Sequence, residues 1–114
     1  MLRPVRIPVP GGKIIEEHLG RVAGGVAALS VAHMKAPPGW TEPPQTPAFM
    51  EATIMLRGQL EVELPTGPRT LHAGESLLVP AGMRVRYGNP FPEECEYFAV
   101  CLPAFAPDTV HRDS

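Results

Sequence analysis

The chain has 114 residues, a formal net charge of −2, 44% hydrophobic and 19% charged residues, which is one domain's worth with a core burying roughly two thirds of the unfolded surface. That charge balance gives no electrostatic footprint for nucleic acid or an anionic membrane, and no apolar run approaches the ~18 residues of a membrane span. The N-terminus is broken by Pro4, Pro8 and Pro10 and has no apolar core segment, so the expectation is a cytoplasmic protein without a signal peptide.

Fifteen prolines and eleven glycines break up long helices and favour many short strands joined by turns. Residues 1–12 read as an extended, Pro-punctuated arm lying on a sheet edge or on a partner subunit. Lys13 to Gly20 is either a short strand or one helical turn, since periodicity does not separate the two at this length. Gly24-Gly25 is a turn. Val26 to Lys35 is apolar and β-branched enough for a strand, with Val31 and His33 on one face and Ser30 and Ala32 on the other.

Ala36 to Pro47 holds five prolines and is no central strand. It is a semi-rigid loop of the kind on which sites are built. Trp40 within it is either a lid over a pocket or a plug on the core. From Glu51 the pattern is β: Glu51, Thr53 and Met55 share one face, Ala52, Ile54 and Leu56 the other. Gln59 to Leu64 alternates, with Leu60, Val62 and Leu64 inward, as in a half-exposed antiparallel strand. A hairpin connection at 65–68, short strands over 69–72, 76–79 and 85–87, and a long apolar strand over 94–102 follow, each closed by Gly or Pro. Cys95 and Cys101 on one extended strand lie roughly 20 Å apart, too far for a disulfide, and read as small core hydrophobes. The whole is all-β, a sandwich or jelly-roll barrel. It divides into an arm and first strand (1–25), a barrel (26–103) and a tail (104–114), in one domain.

The punctuation resembles the cupin superfamily. The first cupin motif is G, five residues, H-x-H, three or four residues, E, six residues, G. Gly39, Gln45-Thr46-Pro47, Glu51 and Gly58 fall at those spacings. The second is G, five residues, P-x-G, two residues, H, three residues, N. Gly74, Pro80-Ala81-Gly82, Val85 and Asn89 fall at those. The resemblance implies a double-stranded β-helix, a ligand site in its mouth, and a homodimer formed through sheet packing or N-terminal strands.

Cupins typically hold a divalent metal with the motif histidines and glutamate. Here those slots read Gln45, Pro47, Glu51 and Val85, so only the glutamate remains. One carboxylate and one amide make a poor site for Zn, Fe, Ni or Cu. The expectation is no cofactor and no metal ligand, with a rewired site through His33 or Glu42 as the exception. His18, His33, His72 and His111 all lie outside the motif slots.

By strand parity Thr53, Met55, Val85 and Tyr87 face the same interior as Glu51, with Gln45 above it. These five are the expected ligand-binding residues. Glu51 is the expected catalytic group, since burial disfavours a carboxylate's charge and readies it for general acid–base work. Tyr87 can then donate to a developing oxyanion. The opposing reading makes Glu51 a scaffold residue paired with Arg57, Arg84 or Arg86. Two functions stay open. One is a metal-free binding module for a small polar or carboxylated metabolite or sugar, favoured because a single domain leaves no second catalytic region. The other is a cupin enzyme (isomerase, lyase, decarboxylase or dioxygenase) working through Glu51. Neither nucleic acid nor a membrane is an expected partner.

Overall fold

The computed structural model describes residues 1–113. Nine strands are found among the described residues: β1 Val5–Ile7, β2 Ile14–Leu19, β3 Ser30–Ala36, β4 Met50–Arg57, β5 Gln59–Leu64, β6 Gly67–His72, β7 Ser76–Val79, β8 Arg86–Gly88 and β9 Cys95–Leu102. One 3-10 turn, Pro107–Thr109, lies in the tail. Among the described residues no helix is long and apolar enough to cross a membrane.

The strands form two antiparallel sheets, six strands in the order β1-β2-β3-β9-β4-β7 and three in the order β6-β5-β8. This is a jelly-roll sandwich, and its sheets do not close into the barrel expected from the sequence. Pro43, Pro44 and Pro47 explain the gap. They follow β3 where a further strand would have to join the sheets, and a proline has no N–H for a ladder. The loop makes only isolated bridges, Thr41↔Gly88 and Gln45↔Val85, against the edge at β8.

Alternation fills the interior. In β9, Cys95, Tyr97, Ala99 and Cys101 are buried while the residues between them are half-buried. In β4, Glu51, Thr53 and Met55 point inward and Ile54 outward. Met55, Leu60, Val62, Val85 and Trp40 pack into one core cluster, so Trp40 is a plug. Lys13 to Gly20 resolves as a strand, β2. The next strand begins at Ser30 rather than Val26, because Gly24 and Gly25 both take positive φ and carry the turn further. Val85 sits just before β8 in a single bridge. The N-terminal arm forms β1, paired with β2 on the edge of its own sheet. Both cysteines are free and buried.

Two motif positions are explained by packing. Gly58 has φ +76°, and a Cβ there would lie 2.8 Å from the Glu94 carbonyl oxygen. Asn89 is fully buried. Its Nδ2 donates to the Ala36 and Glu93 carbonyls at 3.1 and 2.8 Å, and its Oδ1 accepts from Phe91 N–H at 3.1 Å. Its backbone N–H also donates to Trp40 O at 2.7 Å. Asn89 thereby ties the end of β3, the Pro-rich loop and the turn after β8 together.

Asn89→Ala removes three hydrogen bonds, of which the one to the Ala36 carbonyl is buried and those to Glu93 O and Phe91 N–H are partly buried. Urea unfolding should show a loss of about 2–4 kcal/mol with little change in m-value.

Candidate functional site

The six-stranded sheet curves around a cavity of about 80 Å³. A single water needs ~10–15 Å³, so the space admits a small molecule. β4 supplies Glu51 and Thr53, β8 supplies Tyr87, β9 supplies Tyr97 and Cys101, and the Pro-rich loop supplies Glu42 and Gln45. Lys13 enters from the turn before β2, and Arg112 from the tail. The tail reaches the cavity because it bridges to the loop, with Thr46 N–H on His111 O at 3.0 Å and Asp113 N–H on Pro44 O at 2.7 Å.

Glu51 sits directly across the β4–β9 ladder from Cys101. The Cys101 thiol donates to its Oε2 at 3.5 Å. Burial, and then the Glu51 charge, push the Cys101 thiol up, so it stays protonated and remains a donor. Oε1 of Glu51, Gln45 Oε1 and Tyr87 Oη make no well-formed hydrogen bond within the protein, although the Tyr87 hydroxyl lies near enough to Glu51 and Thr53 to interact with both. Glu51, Gln45 and Tyr87 are 9%, 5% and 4% exposed. Unpartnered buried polar atoms are costly and few in a folded chain, yet these three converge on one cavity.

Burial, reinforced by Glu51, holds the Tyr87 hydroxyl well above the usual tyrosine range. Burial does the same to Tyr97, with help from Glu42 and Glu51. Both phenols therefore remain O–H donors. Burial lowers the Lys13 pKa against the opposing pull of Glu42 and Glu51. Burial raises that of Glu42, against the pull of Lys13. The Lys13 ammonium lies 3.9 Å over the Trp40 ring. Glu17 also borders the cavity, but its Oε2 is satisfied by Val22 and Ala23 N–H at 2.9 and 2.8 Å. It closes the turn after β2.

Of the residues singled out from sequence, Glu51, Gln45, Thr53 and Tyr87 line the cavity. Met55 and Val85 share the inward face but lie in the packed core. Parity tells which face a residue occupies but not how far it lies from the cavity, and these two meet other core side chains instead. The arginines expected as partners of Glu51 are engaged elsewhere. Arg57 pairs with Glu94 and Glu96, Arg84 with Asp113 and Arg86 with Glu63. His33 bonds Glu96 at 2.8 Å, away from the cavity.

Sequence reasoning missed Lys13, Tyr97, Cys101 and Arg112 as cavity groups, and Glu42 entered only as a rewired metal ligand. Tyr97 and Cys101 were findable, being in phase along β9. Lys13 and Arg112 carry no local signal, since turns bring them in.

The residues do not fit a divalent metal. Val85 offers no ligand atom. The Pro47 carbonyl already accepts Gly82 N–H at 2.8 Å. Among the described residues no group of three or more His, Cys, Asp or Glu is placed to hold a cation.

Comparison with known proteins agrees with this architecture. The cupin domain model matches residues 32–101, and the chain belongs to that family. It is 44% identical over 108 residues to the endoribonuclease YbeY of Myxococcus xanthus, a match covering 95% of this chain but only 37% of that protein's length. Among solved structures it resembles the polyketide cyclase RemF from Streptomyces resistomycificus, with a TM-score of 0.78 at 15% identity over 99% of this chain and 80% of that one. An oxalate decarboxylase variant from Bacillus subtilis gives a TM-score of 0.80 at 16% identity over 96% of this chain and 30% of that one. KdgF from Halomonas sp. gives 0.74 at 18% identity over 93% of each chain. At such identities the likeness is one of fold.

Lys13→Met keeps the aliphatic stem on Trp40 and removes the charge. Because the folded Lys13 pKa is depressed, the folded chain holds fewer protons than the unfolded one between that lowered value and the ordinary 10.5. Wild-type stability therefore rises with pH through that window relative to the variant. Urea midpoints should favour K13M at pH 7, with the gap narrowing as pH approaches 10.5. A gap that does not change with pH would show that the Lys13 charge carries no net cost in the fold.

Proposed function

We propose that this cupin domain is a small-molecule-binding module whose ligand sits in the cavity between Glu51, Gln45 and Tyr87. The observation that carries this is the convergence of three unpartnered, buried polar atoms on one cavity. Ligand sites are concave and mostly apolar, with a few placed polar groups, and Ala32, Met34, Phe49 and Ala99 supply the apolar wall here. The ligand is a small polar metabolite or sugar, bound without a metal. Cleavage of RNA does not come over from the M. xanthus relative, because the chain spans 37% of it and its net charge of −2 provides no footprint for a polyanion.

A second reading has one specific observation behind it. Lys13, Glu42 and Glu51 border the same space, with the Lys13 pKa lowered and that of Glu42 raised. Groups shifted toward each other exchange a proton more readily than unperturbed ones. This supports an acid–base enzyme, an isomerase or lyase acting through Glu51, rather than oxygen chemistry.

A thermal-shift screen of sugars, polyols and small carboxylic acids tests both. A hit should bind wild type and lose at least about tenfold in affinity, roughly 1.4 kcal/mol, in Glu51→Gln and Tyr87→Phe. A hit indifferent to both variants places its site elsewhere and sinks the reading. Turnover of the hit, lost in E51Q with KM unchanged, moves the assignment to the enzyme.

We also propose that the chain pairs with a second copy through the outer face of β4, β7 and β9. Ile54, Leu78 and Leu102 are 42%, 59% and 41% exposed there, and a contiguous apolar face of this kind marks an interaction surface. Leu78→Glu should convert a dimer to a monomer in sedimentation experiments at micromolar concentration, and an unchanged mass overturns the assignment.

A further inference from the structure

Lys13 places an amine in the cavity without a bonded partner. Its side chain is part of the lining. Among the described residues the ion pairs belong to His33, Arg57, His72, Arg84 and Arg86, and Glu42 and Glu51 act on Lys13 through charge alone. What Nζ meets instead is aromatic: it lies 3.9 Å from the Trp40 ring centroid and 5.3 Å from that of Tyr97. The residue as a whole is half-buried, so its amine is shielded from bulk water but open to the cavity.

An ammonium taken from water without a contacting carboxylate or a hydrogen-bond acceptor is costly, and losing the proton is the usual relief. The Trp40 face favours the charged form, as do the charges of Glu42, Glu51 and Cys95, while Arg112 opposes it. Desolvation outweighs these charges and lowers the pKa. A desolvated lysine in an apolar-walled cavity is an activated nucleophile toward a carbonyl carbon. Glu42 complements it. Burial raises its pKa, so it keeps a proton to higher pH than an ordinary carboxyl and can pass it to a departing oxygen.

We infer that Lys13 captures carbonyl compounds: its Nζ forms an imine with a small aldehyde or ketone held in the cavity, such as the open-chain form of a short sugar. This rests on the cavity-binding reading above and adds a covalent step to it. The Nζ lone pair adds to the carbonyl carbon and an N–C bond forms. The carbonyl oxygen then leaves with both amine hydrogens as one water. The exchange consumes no oxidant, reductant or metal. Hydroxyls beside the carbonyl are left to Glu51, Gln45 and Tyr87, which border the same space.

The chain has two lysines, Lys13 and Lys35, and Lys35 does not line the cavity, so wild type carries its own control and no variant has to fold. Hydroxyacetone is added to the full chain with cyanoborohydride, which reduces an imine to a stable secondary amine. Peptide mapping by mass spectrometry places the adduct and separates it from any on the exposed Met1 amine. At pH 7 Lys13 should be alkylated at least about tenfold faster than Lys35, the effect of one pKa unit, at a rate that saturates with hydroxyacetone. The ratio of the two rates should fall as pH approaches 10.5, the ordinary lysine value. Equal rates at pH 7, or a ratio that does not change with pH, overturn the inference. Saturable binding of hydroxyacetone by thermal shift, weakened in Glu51→Gln but without an adduct at Lys13, keeps the cavity reading and overturns this inference alone. Selective alkylation of Lys13 that is linear in hydroxyacetone and unchanged in Glu51→Gln and Tyr87→Phe supports the imine and overturns the cavity reading.

Discussion

The register between β4 and β9 is the constraint on which the rest depends. These two strands are neighbours inside the six-stranded sheet, paired from Met50↔Leu102 to Arg57↔Glu96 with one irregularity near Met55. That register places Glu51 opposite Cys101 and Thr53 opposite Ala99. A slip of one residue would turn every side chain of one strand to the other face, exchanging Glu51 for Met50 or Ala52. The buried set Cys95, Tyr97, Ala99 and Cys101 alternates with Phe98, Val100 and Leu102, which are also apolar, so apolar phase alone does not fix this register.

The Pro-rich loop is the second determinant. Its missing N–H groups keep it from becoming a strand, so the sheets stay open at that point, and the opening is where Gln45 and Glu42 come over the cavity. Gln45 is nevertheless held firmly: its N–H donates to Val85 O at 2.9 Å and its carbonyl accepts Val85 N–H at 2.8 Å. Val85, in the slot where cupins typically carry a histidine, thus contributes backbone positioning and core packing in place of a ligand atom. Trp40 and Asn89 anchor the start of the same loop. A rigid loop on a sheet scaffold can hold a polar group unpartnered and buried, because it cannot relax to satisfy it.

The site is accordingly built from opposed tendencies. Lys13, Tyr87, Tyr97 and Cys101 all have burial as the first cause of their shift. Structures commonly give up stability of this kind at functional positions. The exposed ion pairs of Arg57 and Arg84 are on the outside, where such pairs contribute little, and neither arginine pairs with Glu51.

The sequence by itself determined the fold class, the strand phases from Glu51 onward, and the family skeleton of Gly39, Glu51, Gly58, Gly74, Gly82 and Asn89, because turns and two-residue periodicity are local properties. It also determined that the usual metal slots hold Gln45, Pro47 and Val85, since that is a matter of identity. What only the tertiary structure decided is which inward residues meet the cavity and which meet other side chains. Met55 and Tyr87 both belong to the buried core, yet only Tyr87 also reaches the cavity, a difference that strand phase does not carry. Lys13 and Arg112 come from opposite ends of the chain, and only the closing of turns over long sequence distances brings them beside Glu51.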